Sequence, residues 1–165
     1  MGIYKNPVDN MKVLLANCSK FQEWTGAADA AAALGYIYTD PVFLIKDYPK
    51  KNMYAVIVDG IIELDGGPIG LGSGSYDSTT STYVNLIGTY PDLSPENSAL
   101  FRTAIDEILE QIFDLQSNGF KTISFFKKMN DIQYMWSLSN GDDTAKHSDK
   151  KKGFQMAFEE GQTIE

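Results

Sequence analysis

Cysteine and histidine each occur once in this chain of 165 residues, as Cys18 and His147. A single thiol excludes an intramolecular disulfide and suits a reducing compartment. The one histidine lies in KHSDKKK, without a Ser, Cys or second ligand at a spacing arranged for catalysis or zinc binding, so neither a nucleophile–base pair nor a zinc set is expected. Basic charge is also scarce. The net charge of −8 disfavours a general nucleic-acid binder, because neutralising phosphates requires a basic surface. No apolar run approaches the ~20 residues of a membrane span, and the opening MGIYKNPVDN has no signal-peptide core. Asn6 stands where a myristoylation signal has Ser or Thr. The expectation is a soluble protein with no membrane anchor.

What the chain does contain is aromatic residues (nine Tyr, nine Phe and two Trp) and 14 Gly, a composition that leans toward strands and turns. The firmest helix is 94–119. Ser94 supplies a capping oxygen, Pro95 fits the first helical position, and Asn118-Gly119 offers a left-handed stop. Phe101, Ala104, Ile105, Ile108, Leu109, Ile112, Phe113 and Leu115 recur at steps that predict one buried face. Asp106, Glu107, Glu110, Gln111 and Asp114 fall on the other side. Asp106–Glu110 and Glu110–Asp114 are carboxylate pairs one turn apart, and like charges so spaced are read as a wet face rather than a metal or acid–base site.

Before that helix, Asp9 or Asn10 can cap a helix running to Trp24, with Thr25-Gly26 interrupting it. AADAAAAL at 27–34 predicts a short helix ending at Gly35. Strand candidates follow at 36–38 and 42–46, then at 53–64 as one long strand bent by a bulge at Asp59-Gly60. Residues 65–82, DGGPIGLGSGSYDSTTST, predict a long flexible loop, and 83–89 a returning strand with Val84 and Leu86 opposed to Tyr83, Asn85 and Ile87. Strands are expected at 120–126 and 132–138 around a turn at 127–131, with a solvated loop at 140–152 and a last strand at 153–159. GLGSGS at 70–75 has no following Lys and no helix to open, so it is not a phosphate cradle. Strands in runs joined by turns point to an α+β fold in one domain spanning 1–165: a mainly antiparallel sheet packed by one long helix, with an N-terminal helix and a long projecting β-hairpin loop. No catalytic, metal-ligating or cofactor-binding residue emerges from these patterns.

Two stretches carry a resemblance. MKVLLANCSKFQEWTGAADAAAALGYIY at 11–38 resembles the N-terminal region of neck and tail-completion proteins from the head–tail modules of long-tailed bacteriophages. YVNLIGTYPDLSPENSALFRTAIDEIL at 83–109, with the order of elements around it, is similar to the tail-terminator family. The resemblance implies a virion structural protein and not an enzyme, assembled in the host cytoplasm as a homo-oligomeric ring, commonly a hexamer. Such a ring ends the tail tube and joins it to the connector or stopper, while DNA passes through its lumen without specific binding. It further implies that Ile69, Leu71 and Tyr76 contact a neighbouring subunit or partner, and that Asp106, Glu107, Glu110 and Asp114 face the channel. Lys150, Lys151 and Lys152 are read first as a solubilising or edge-protecting cluster and second as a contact with an acidic partner or DNA backbone. The glycine-rich loop departs from a compact terminator, and the family offers no catalytic residues to carry over. A head-completion or stopper protein of the same neck, and a small monomeric ligand-binding domain or enzyme, remain open alternatives.

Overall fold

The computed structural model describes residues 5–39, 51–65, 76–92, 94–117, 125–139 and 150–164. Three helices come first: α1 (Lys5–Ala16), α2 (Ser19–Thr25) and α3 (Ala30–Ala33), the last running into a 3-10 turn at Leu34–Tyr36. They lead to a short strand β1 (Ile37–Tyr38), followed by β2 (Met53–Asp65), β3 (Tyr76–Tyr90), the long helix α4 (Pro95–Ser117), β4 (Phe125–Ser139) and β5 (Lys150–Ile164). The strands form a five-stranded sheet in the order β1-β2-β3-β5-β4. Every pairing is antiparallel except the two-residue β1–β2 contact, which is parallel, so the fold is α+β with a mixed sheet.

Period-two alternation decides which side of the sheet meets the helices. Ala55, Ile57, Val84, Leu86, Phe154, Met156 and Phe158 join one apolar cluster with Met11, Leu14, Leu15 and Phe21 of the first two helices and with Phe101, Ile105, Ile108, Leu109 and Ile112 of α4. Gly88 belongs to that side. A Cβ there would come within 2.9 Å of the Tyr90 ring and 3.0 Å of the Met53 sulfur, so the close packing of β3 on Phe101 requires the missing side chain. On the opposite face Tyr54 and Ile87 are also buried, and Asn85 accepts a hydrogen bond from Gln155 at 3.0 Å.

Several expectations need correction. The helix anticipated to run unbroken to Trp24 is two helices, because Cys18 is extended, with φ −75° and ψ 110°. The Asn17 side chain turns back to donate to the Val13 carbonyl at 2.9 Å, the kind of local competition that ends helices. Residues 76–82, expected within the flexible loop, form the first half of β3, paired with β2 on one side and β5 on the other. Their Ser and Thr residues are compatible with a strand once both neighbours exist. The turn expected at 127–131 is instead a pair of irregularities within one strand, between Phe126/Lys128 and Asn130/Tyr134. The last strand starts at Lys150, which moves the three lysines out of the anticipated loop. The bulge in β2 falls between Asp59 and Ile62, where the sequence places it. The strand expected at 42–46 lies outside the described residues, as do 66–75, 118–124 and 140–149.

Phe113 was expected on the buried face of α4 and is 46% exposed, together with Leu100 at 59%. One residue beyond buried Ile112, Phe113 is rotated by ~100° toward the stripe that holds Asp106 and Glu110.

Candidate functional site

Ser94 starts α4 by accepting the Asn97 backbone N–H at 3.2 Å, while Asp92 accepts from Ser94 N–H at 2.9 Å and from the Asn97 amide at 2.8 Å. The cap fixes the rotation of the helix, and with it the direction of its acidic stripe. Asp106, Glu107, Glu110 and Asp114 are all exposed. Glu107 lies 3.6 Å from the Lys20 ammonium, which also bonds Glu23 at 3.3 Å. The hydrogen bond that Lys20 donates to Glu23 and the field of Glu107 raise the Lys20 pKa. Among the described residues, Asp106, Glu110 and Asp114 form no ion pair. Arg102, Ile105, Asp106 and Phe154 line an open groove of about 220 Å³ between α4 and β5, smaller than the ~300 Å³ at which small-molecule sites begin.

Gln111 is not part of the wet face, as its spacing suggests, but a bridge to α2. Its Oε1 accepts the Lys20 backbone N–H at 2.6 Å and the Cys18 thiol at 3.0 Å, while its Nε2 donates to Ser19 Oγ at 2.6 Å. Cys18 itself makes no side-chain cap, so Gln111 supplies the acceptor that the first turn of α2 lacks. Burial pushes the Cys18 thiol up, against the weaker effect of backbone hydrogen bonds from Phe21 and Lys20, which makes it a packed and unreactive group.

The lysine cluster was expected to lie exposed. Instead Lys151 and Lys152 are buried, and as neighbours in one strand they point to opposite faces. Lys152 donates to Ser98 Oγ on α4, and Lys151 donates to the Tyr54 hydroxyl at 3.2 Å with its ammonium 5.2 Å from that ring. Both heads are therefore engaged inside the protein and not in the solvated loop expected at 140–152. Lys150 opens β5 opposite Tyr90 and Ser139. A lysine the sequence did not single out, Lys51, holds the end of the 3-10 turn: it donates to the Gly35 carbonyl and sits 3.9 Å from the Tyr36 ring centroid. Tyr38 then meets Tyr54 edge-on at 5.8 Å, continuing the aromatic row.

Ile69 and Leu71 lie outside the described residues, as does His147; Tyr76 is the first residue of β3, opposite Ile164. Among the described residues the Thr82 hydroxyl is buried without a hydrogen-bond partner. Among the described residues no group of three His, Cys, Asp or Glu could hold a metal ion, and no helix is long and apolar enough to cross a membrane.

Fold and surface together define an α+β protein with a mixed sheet and an acidic stripe along its longest helix. No family model matches the chain, and no curated protein is significantly similar to it.

Proposed function

We propose that this protein is a structural component of the head–tail junction of a long-tailed phage, forming a homo-oligomeric ring that terminates the tail tube and joins it to the connector. The reading starts from the resemblance of 11–38 and 83–109 to neck and terminator proteins. The observation that carries it is the exposed stripe of Asp106, Glu110 and Asp114, borne by a helix anchored on the sheet and free of ion pairs among the described residues. Turned toward a lumen, such a stripe repels phosphate and lets DNA slide without adhering. Long strands support the same reading, since β2 and β3 stay paired out to Asp65–Asp77, well beyond the described core at Ile57 and Val84. A hairpin of that length gives a neighbouring ring something to hold. The task is assembly and not catalysis, and its site is the virion.

Sedimentation and native mass measurement on purified protein, followed by electron microscopy, test the proposal. A closed ring, commonly six subunits, with an open centre is the expected result. A stable monomer carrying a bound metabolite would overturn it.

A further inference from the structure

The acidic stripe of α4 divides the exposed surface of that helix into two flanks of different shape. At about 100° per residue, Asp106, Glu110 and Asp114 centre on one line, with Phe101, Ile108 and Ile112 on the opposite, buried side. Arg102 stands about 80° to one side of that line and Leu100 about 80° to the other.

On the Arg102 flank lies the open groove between α4 and β5. Its floor is Ile105 and Phe154, both buried, and its rim is Arg102 and Asp106, both exposed. It falls short of small-molecule size, and its open form suits a single apolar side chain. On the other flank Leu100 is 59% exposed, the most exposed large hydrophobic residue among the described residues. A lone exposed leucine is ordinary. This one shares its flank with Glu107 and Gln111, which reach α2, and has exposed Glu96 one turn before it.

Charge matches the two flanks to each other. Arg102 is the chain's only arginine, and among the described residues neither it nor Glu96 forms an ion pair. Arginine is enriched at protein interfaces, where its planar fork engages a carboxylate through two parallel bonds. Because knob and groove face away from each other, one copy cannot use both against the same neighbour. The contact is therefore heterologous, and its repetition builds a ring or a filament. With the acidic stripe toward the axis, each copy turns its groove to one neighbour and its knob to the other. Leu100 and Ile105 are about 7.5 Å apart along the helix, so copies at nearly equal height, as in a flat ring, bring them together.

We infer that subunits join head to tail along α4, with Leu100 of one copy entering the groove over Ile105 and Phe154 of the next and Glu96 pairing with Arg102. This rests on the ring reading above and names the contact that closes the ring.

Leu100→Asp removes the knob and Arg102→Glu reverses the groove rim. Both positions are exposed, so each variant should stay folded, as far-UV circular dichroism checks. Each is expected to need about tenfold more protein than the natural sequence to assemble, judged by sedimentation. Mixed at a concentration where neither assembles alone, the two should form dimers and nothing larger. The one natural junction left to them joins the knob of the Arg102→Glu protein to the groove of the Leu100→Asp protein. Adding Glu96→Arg to Arg102→Glu restores opposite charges at every junction and should return assembly toward the natural midpoint. If the natural protein forms rings and the single variants form them equally well, or if the charge exchange recovers nothing, the contact is wrong while the ring reading stands. Single variants that still fail to pair when mixed overturn the contact as well. A natural protein that stays monomeric removes both.

Discussion

Gln111 shows how one polar residue can join two helices that are distant in sequence. Its carboxamide accepts from Lys20 N–H and the Cys18 thiol and donates to Ser19, so the start of α2 is defined by a side chain from α4. Replacing it with Leu should cost about 1–3 kcal/mol, since the Lys20 N–H would lose its acceptor in a partly buried place. Gln111→Glu keeps an acceptor and puts a negative charge at a helix N-terminus, so it should lose less. Urea midpoints for the two variants are the check; equal midpoints for Gln111→Leu and the natural protein would remove the bridging role. Neither this role nor that of Lys152 could be read from local pattern. Periodicity places Gln111 on the margin of the polar face, and a charge run such as Lys150 to Lys152 reads as solvated because Ser98 and Tyr54 lie 54 and 97 residues away in sequence.

At the scale of elements, local pattern was informative wherever local forces decide. Ser94 and Pro95 begin α4, Gly26 ends α2 with a φ of 78°, and the bulge in β2 occurs near its Asp-Gly pair. The strands that depend on distant partners were harder to see. Residues 76–82 resemble a loop because Ser, Asp and Gly surround them, yet they are held by ladders on both sides. Thr80→Pro tests this placement: Thr80 pairs with Ile62 and Glu160, and proline within an interior strand removes a ladder hydrogen bond and leaves its partner unsatisfied, at a cost of about 1–3 kcal/mol. A loop would tolerate the change, so an unaltered melting temperature would return 76–82 to the loop. The candidate contact residues differ in legibility for a similar reason: the exposure of the acidic stripe follows from a helical period, whereas the burial of Lys151 and Lys152 follows from tertiary packing.

On the scale of the whole molecule, both helical segments and the sheet contribute to one apolar cluster. Ile108 lies at 0% exposure within it, so Ile108→Ala should destabilise the protein by about 2–5 kcal/mol through lost contacts and a residual cavity. Because the cluster is shared, secondary structure and tryptophan fluorescence should report one transition that moves as a unit. Two separated transitions would show that the chain divides into independently folding parts.

The sheet order carries a consequence in time. β5 follows β4 in the chain yet is inserted between β3 and β4, with Met156 opposite Val84 on one side and Phe154 opposite Met135 on the other. Until residues 150–164 have been synthesised, β3 has no partner on that side and β4 has none at all within this sheet. Such distant pairings slow folding, since the entropy of closing long loops must be overcome before the contacts form. Completion of the sheet therefore serves as a clock: an unfinished chain presents a different set of edges from a finished one.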